Sequence, residues 1–276
     1  MVEKAAGLFI YAATTCRFIQ DQDYDPEEQL SIILGNGAQA YGPSPTKDLD
    51  DMYTKILQRS VIGNRDSDGY EPLIGRFRQI VGSIAVMFDV MTVQNLAKLL
   101  HVTSVTKTIA SLHSVLKVSA CESQPVRIFH PSFRDFLLDS RRCSDSRLWI
   151  DEAESHILLF QKCMELISGL RQDLCNLREP GILLSDIPDD KIQQNIPTHI
   201  LYACRYWFNH LQQGNPVKKD YDQILYFLKQ HFLHWIEALA LVGEVSGGIL
   251  SIIGLEALLA VSWMILYEFY EGYEAK

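Results

Sequence analysis

Apolar side chains recur every three or four residues along most of the chain, a pattern that predicts a mainly α-helical protein. Residues 5–20 are apolar nearly all round, as is typical of a helix packed inside a larger domain. Asp25 and Glu28 then form a helix start, with Asp25 as the N-cap and Glu28 closing a capping box. Apolar positions at helical spacing over 49–57 predict one more helix, so residues 1–62 form a first helical segment.

A second segment combines helices with a change of period. Three predicted helices come first: Leu73–Ile84, a short helix capped by Thr92, and another that begins at Ser104. Residues 116–120 and 126–130 then follow the pattern of two short strands joined by a polar turn. Three helices followed by a hairpin is the order of a winged-helix domain, which we assign to residues 63–150.

The rest of the chain returns to the helical pattern. Asp151 and Glu154 make a second capping box. Pro197 opens a further helix, and another covers 221–236. These helices follow no strict repeat period, so the sequence predicts paired helices in an α-helical arm over 151–276.

An apolar stretch near the end of the chain has about the length of a membrane span. Residues 247–267 are nearly all apolar. Glu244 and Glu256, several glycines and the lack of a flanking basic cluster all argue against a span. We therefore interpret this stretch as part of a buried helix pair and do not expect a membrane as partner.

Charge, composition and cysteine content argue against a nucleic-acid-binding, a disordered or a secreted protein. The net charge of −9 and the pI of about 5.4 argue against a nucleic-acid partner, because phosphate binding needs clustered Lys and Arg. The hydrophobic content of 47% argues against disorder. The six cysteines form no C-x-x-C pair, and no signal peptide opens the chain, so we expect free thiols and a cytoplasmic protein.

Catalytic and metal-binding motifs have no complete match. No Walker A sequence exists, and the glycines of 35–42 lack its Lys. Ile84–Asp89 imitates a Walker B strand but has a helical lead-in. His231, His234 and Glu237 have the spacing of metal ligands on one helix face, but we interpret these histidines as core or rim residues. We expect neither a metal site nor enzyme activity.

A DNA-binding winged-helix regulator is the alternative function. Such a domain places its third helix in the major groove. Here that helix, 104–113, offers Lys107 as its one cation, and the hairpin adds Lys117 and Arg127. A small basic group follows, with acidic residues among it: Asp139, Arg141, Arg142, Asp145 and Arg147. We interpret this group as a solvated face, so phosphate neutralisation has little support.

One motif indicates a family. Phe129–Leu137, which reads FHPSFRDFL, resembles the His-Pro-Ser-Phe motif of fungal NACHT proteins, which belong to the STAND class of signalling ATPases. Further segments resemble the same family in the same order: 7–13, 49–57, 201–204 with Trp207, and 231–239. The resemblance covers nearly all of residues 1–240.

The resemblance implies a role for each part of the chain. In the family an ATPase core binds ADP or ATP, and the winged-helix domain closes over the nucleotide in the resting state. Residues 1–62 then correspond to a helical lid. His130 corresponds to the residue that contacts the phosphates of ADP, a role that suits an imidazole. In the alternative, His130 caps the hairpin and packs beside Pro131 and Phe133.

The same resemblance implies that the Walker motifs of the nucleotide-binding core are absent from this sequence. The Walker motifs would precede residue 1, so the chain resembles the middle of a NACHT protein: a truncated product, a gene fragment, or a standalone paralogue that inhibits or joins full-length relatives. We expect a non-catalytic interaction protein of fungal nonself recognition, heterokaryon incompatibility or regulated cell death. Its partners would be proteins, including full-length NACHT relatives. ADP or ATP would bind only where another chain supplies the P-loop.

Overall fold

The computed structural model describes residues 9–21, 24–34, 45–63, 71–103, 105–118, 124–178 and 181–274, with side chains as far as residue 260. Predictions for 5–8, for the loops 35–44 and 64–70, for Ser104 and for 119–123 lie outside these ranges. The fold is mainly α, as predicted, with one two-stranded antiparallel hairpin in the part that the structure describes. The chain divides into two compact units, Met1–Ser155 and His156–Lys276.

The first unit holds the hairpin. Its elements are α1 (Phe9–Ile19), α2 (Pro26–Leu34), α3 (Pro45–Leu57), α4 (Glu71–Val86), α5 (Val93–Leu100), α6 (Val105–Ala110), β1 (Leu116–Lys117), β2 (Arg127–Ile128) and α7 (Pro131–Leu138). Leu116 pairs with Ile128, and Lys117 pairs with Arg127. The second strand is shorter than predicted: it ends at Ile128, although Phe129 still donates its N–H to the Val115 carbonyl at 3.0 Å, and α7 begins at Pro131.

The predicted N-caps of the first unit are confirmed. Asp25 Oδ1 accepts the backbone N–H groups of Glu27 and Glu28 at 2.8 and 3.1 Å. Thr92 Oγ1 accepts the N–H of Asn95 at 3.3 Å. The side chain of Glu28 has a role that the local pattern did not predict, because its Oε1 pairs with Arg59 Nη2 at 2.8 Å. Caps can be predicted locally, whereas this ion pair depends on the tertiary fold.

Aromatic side chains form the core beneath the hairpin. Tyr53, Phe133 and Phe136 are fully buried, and the Tyr53 ring lies 5.1 and 5.4 Å from the two phenylalanine rings. Phe77 of α4 is fully buried in the same unit. This packing fixes α7, and therefore the residue that caps it, relative to α3.

Helix α3 ends in an irregular turn. It continues into a π-helical segment, Gln58–Ile62, which ends at Gly63. Gly63 has φ 62° and ψ −159°, a region of backbone space that only glycine occupies without strain. Short π segments are rare and occur most often at functional sites.

The second unit contains helices and no strand in its described part. Helix α8 (Glu152–Ile167) begins just before the division, and Asp151 Oδ1 caps it by accepting the N–H of Glu154 at 2.9 Å, as predicted. The further helices are α9 (Asp189–Asn195), α10 (Thr198–Gln213), α11 (Lys218–Gln230), α12 (Phe232–Leu241) and α13 (Val245–Glu274). Helix α9 precedes the helix predicted to open at Pro197 and was not itself predicted.

The prediction of one helix over 221–236 is wrong. Two helices, α11 and α12, meet at His231, whose backbone leaves the helical region at φ −125° and ψ 0°. The apolar pattern continues through the break because both helices bury residues around it, including Phe227 and Trp235. Periodicity alone therefore does not locate the break.

The apolar stretch near the end forms helix α13 after a turn at Gly243, where φ is 73°. Leu255 is buried, but Ile249, Leu250 and Ile253 are more than half exposed. The expected buried helix is thus buried on one face only over its described side chains. Within the described ranges, no helix is both long enough and apolar enough to span a bilayer.

Candidate functional site

His130 lies at the N-terminus of α7, where the hairpin ends. Its backbone is extended, and its ring Nδ1 accepts the N–H of Ser132 at 3.2 Å. Pro131 occupies the first turn of the helix, where a missing N–H costs nothing. The ring itself is exposed. His130 is therefore the N-cap of α7, a variant of the structural role that we weighed as the alternative to phosphate contact.

The cap determines which ring nitrogen faces outward as a donor. Because Nδ1 accepts from a backbone N–H, the neutral ring carries its proton on Nε2. The Ser132 hydroxyl lies 2.8 Å from the same Nδ1 and 2.9 Å from the Tyr53 hydroxyl. Burial raises the pKa of Tyr53, so this phenol stays protonated near neutral pH. His130 is thus held by a short chain of hydrogen bonds that reaches into the core.

A guanidinium lies beside the motif. Arg17 Cζ is 4.0 Å from the centre of the Phe129 ring, a cation–π distance. Its Nη1 is buried and has no hydrogen-bond partner in the described part of the chain. The Arg17 carbonyl oxygen lies 3.2 Å from His113 Nε2. The residue before His130 is therefore covered by a positive charge from α1.

Arg134, four residues after His130, holds α7 against its neighbours. Its Nε donates to the carbonyl oxygen of Ala85 at 2.7 Å, and its Nη2 pairs with Glu152 at 2.9 Å. The carbonyl of Ala85 is at the end of α4, where few intrahelical donors remain. The FHPSFRDFL motif therefore contains residues that build the fold as well as one exposed ring.

The basic group after α7 is only partly the solvated face that we expected. Arg141 is 89% exposed and pairs with Asp139, in agreement with that interpretation. Arg142 is 24% exposed and binds Asp50 of α3 through Nη2 at 2.7 Å and Nε at 3.1 Å, so for this residue the interpretation is wrong. A bidentate, half-buried pair of this kind is a structural tie.

Asp145 and Arg147 form the third pair of this group, at 2.7 Å. The hydrogen bond from the Arg147 side chain is the main cause that lowers the pKa of Asp145 to about 2. Each arginine of the group thus has a carboxylate partner. This pairing leaves little charge for nucleic-acid phosphates, whereas Lys117 and Arg127 lie exposed side by side in the hairpin register.

The histidines that we considered as metal ligands have other surroundings. The rings of His231 and His234 lie 5.8 Å apart. The carboxylate of Glu237 accepts the backbone N–H groups of Asp173 and Leu174 at 3.1 and 3.0 Å, which stabilises the turn after α8. Across the described ranges, no three His, Cys, Asp or Glu side chains come together as a metal site would need.

The segment Ile84–Asp89, which resembles a Walker B strand in sequence, begins in a helix, as predicted. Ile84 to Val86 end α4, and Asp89 follows in a bend. The glycines of 35–42 lie outside the described residues. The five described cysteines are free thiols: Cys16, Cys143, Cys163, Cys175 and Cys204. Burial raises the pKa of Cys143 and of Cys204 to about 12, so neither thiol is a ready nucleophile.

A buried histidine pair in the second unit was not predicted. His210 is fully buried, and its Nδ1 lies 2.8 Å from Nδ1 of His156, while its Nε2 lies 2.7 Å from the Tyr202 hydroxyl. Burial, followed by repulsion from His156, lowers the pKa of His210 to about 3. The partners are up to 54 residues apart in sequence, so no local signal reveals this arrangement.

A cavity in the first unit was not predicted either. It measures about 450 Å³ and lies beside the π segment, with Arg59, Arg76 and Lys107 among its lining residues. His130 does not line it. The three cations come from the π segment, α4 and α6 respectively, so no local sequence pattern groups them.

Comparison with known proteins adds one similarity. No protein-family model matches the sequence, and no solved structure matches it. The chain is 25% identical over 280 aligned residues to the vegetative incompatibility protein HET-E-1 of Podospora anserina. The alignment covers 92% of this chain and 19% of that protein, so the chain spans about a fifth of its length. The similarity relates this chain, over nearly all its residues, to part of a fungal incompatibility protein.

Proposed function

We propose that this chain is the lid, winged-helix and arm portion of a NACHT-type signalling protein that acts in fungal vegetative incompatibility. The observation that carries the proposal is the similarity to HET-E-1 over 92% of the chain. On this proposal residues 1–62 are the helical lid, 63–150 the winged-helix domain and 151–276 the helical arm. The chain acts in the cytoplasm through protein contacts and performs no catalytic step of its own.

His130 is the proposed point of contact with nucleotide. Its Nδ1 is engaged by the N–H of Ser132, so Nε2–H of the exposed ring is the group that donates to a phosphate oxygen of ADP. The nucleotide is held by a Walker A loop, which this sequence does not contain. In the proposed complex, the nucleotide-binding core of a NACHT relative supplies that loop.

The test mixes this chain with a purified nucleotide-binding core of a fungal NACHT protein loaded with fluorescent ADP. We expect a complex in analytical ultracentrifugation and slower release of ADP. His130→Asn keeps a side chain that caps helices well, so it should retain the complex but lose most of the slowing.

His101→Asn is the matched control. His101 is also exposed, and its φ of 55° is one that Asn tolerates, so this variant removes an imidazole elsewhere on the same unit without backbone strain. It should behave like the unchanged chain. Absence of a complex, or ADP release that the chain does not alter, would contradict the proposal.

A further inference from the structure

The cavity beside the π segment, here called the cation-lined cavity, has the composition of an anion site. Its described polar lining consists of Tyr24, Arg59, Ser60, Arg76, Lys107, Thr108 and Ser111. Three of these side chains are cationic and four carry a hydroxyl. The described residues that line it include no Asp or Glu. Phosphate groups are bound in proteins by this combination of guanidinium, ammonium and hydroxyl donors.

The described lining of the cavity is positively charged, whereas the chain as a whole is negatively charged. Asp and Glu number 34 in the whole sequence, and Lys and Arg number 25, which gives a net charge of −9. Among the described lining residues, three cations occur without a carboxylate, a local balance opposite to that of the whole chain. A concave surface with one sign of charge also concentrates the electric field and attracts ions of opposite charge.

Arg59 is held in position at the wall. Its Nη2 pairs with Glu28, and its Cζ lies 4.7 Å from the centre of the Tyr24 ring. Its Nε is buried and has no hydrogen-bond partner in the described part of the chain. Arg59 therefore contributes to the wall a positive charge that Glu28 partly balances.

The local backbone explains how these residues reach the cavity. Residues 59–63 of the π segment and its end all line it. The floor is apolar, since Phe77 is fully buried and Leu73 lies one turn before it on α4. A volume of about 450 Å³ falls in the range of small-molecule sites and holds more than one phosphate group.

We propose that the cation-lined cavity binds a small phosphorylated molecule, with its phosphate groups facing Arg59, Arg76 and Lys107 and its apolar part over Phe77. This site goes beyond the proposed function, because His130 is not part of it. Occupancy ties the π segment to α4 and α6, and so stabilises the first unit.

The test is calorimetric titration of the full 276-residue chain with inorganic pyrophosphate. The double variant Arg76→Gln/Lys107→Gln removes two exposed cations of the lining and should weaken binding at least about tenfold, as expected for two charge-assisted contacts. The affinity should also fall with added salt. Circular dichroism checks that the variant keeps its fold.

Lys117→Gln/Arg127→Gln is the matched control, because it removes the same two residue types from the exposed hairpin with the same change in net charge. We expect its affinity for pyrophosphate to be unchanged. An ADP arm shows whether a nucleoside adds affinity to the phosphates, and His130→Asn in that arm separates this site from the proposed nucleotide contact.

Three results would overturn the proposal. The first is no binding of pyrophosphate at millimolar concentration. In the second, both double variants lose affinity equally, which indicates a general surface charge effect. In the third, duplex DNA binds through Arg76 and Lys107 while pyrophosphate does not compete, which makes this face a nucleic-acid surface.

Discussion

The two units of the chain differ in where they place their histidines. In the first unit, His101 and His130 are exposed. The second unit buries His156, His199 and His210, together with two tryptophans. Both units also expose some large apolar side chains, among them Phe88 in the first and Leu233 in the second.

This difference determines which histidines can contact a ligand and which only stabilise the fold. A polar group that is buried must be satisfied by partners in the fold, so His210 serves stability and is not available to a ligand. An exposed His130 can serve both, since only one of its ring nitrogens is needed for the cap. The exposed histidine of the first unit can therefore contact a ligand, whereas the buried pair of the second unit serves the fold.

The largest expected loss of stability follows from truncating Trp207, in the aromatic core of the second unit. Trp207 is fully buried and lies edge to face with Trp235 and Phe227, with ring centres 5.8 Å apart in both pairs. Trp207→Ala leaves a cavity and should lower the free energy of unfolding by about 3–5 kcal/mol. Urea denaturation followed by circular dichroism measures this loss.

Leu233→Ala is the control for that experiment. Leu233 is 76% exposed, so its truncation should change stability by less than about 0.5 kcal/mol. Hydrogen exchange should rise in α10 to α12 of the Trp207 variant. If stability were unchanged, the second unit would not depend on its aromatic centre, and the contrast between the units would fail.

The next largest loss of stability is expected at Arg142, with its neighbour Arg141 as the control. Arg142→Gln breaks the half-buried bidentate pair with Asp50 and should cost about 1–2 kcal/mol, since hydrogen bonds to charged groups are stronger than neutral ones but these are partly solvated. Arg141→Gln removes the same charge from a fully solvated side chain and should leave the urea midpoint unchanged. Equal losses in the two variants would instead indicate a role for net charge.

Local sequence was sufficient for the helix starts and the hairpin. The caps at Asp25, Thr92 and Asp151 follow from side chains that bond to backbone two or three residues ahead. The break at His231 could not be predicted, because the apolar period continues across it. Helix α9 was not predicted because its sequence is polar and has no apolar period: within the helix, only Ile192 is buried.

The candidate sites were harder to predict, for a physical reason. His130 was found through resemblance to a family, because its capping role has no strong local signal. The cation-lined cavity joins Arg59, Arg76 and Lys107, which are distant in sequence and meet only in the folded unit. The same holds for Asp50 and Arg142, which are 92 residues apart. Such contacts depend on tertiary packing.

The buried histidine pair makes stability depend on pH. The pKa of His210 is lowered from 6.5 to about 3, so between these values the unfolded chain binds a proton that the folded chain does not. Its stabilising contribution is complete above about pH 6.5 and is lost as pH falls towards 3, by up to about 1.4 kcal/mol per pH unit. Urea midpoints at pH 7, 6 and 5 measure this slope.

His210→Gln should flatten that slope, because glutamine can donate and accept hydrogen bonds but does not titrate. The window from pH 7 to 5 lies above the range in which Asp145 titrates, so that carboxylate does not contribute. A slope that survives in His210→Gln would place the pH dependence on another group.

The smallest effect tests whether the cap and the proposed contact of His130 can be separated. His130→Ala removes the acceptor for the N–H of Ser132 and should lower stability by about 0.5–1 kcal/mol. His130→Asn replaces one cap with another and should restore most of that loss, as measured by urea denaturation. If Asn restores stability but not the effect on ADP release, the imidazole has a role beyond the fold. If Asn restores both, His130 acts only as a cap, and the first unit resembles the second in using its histidine for architecture.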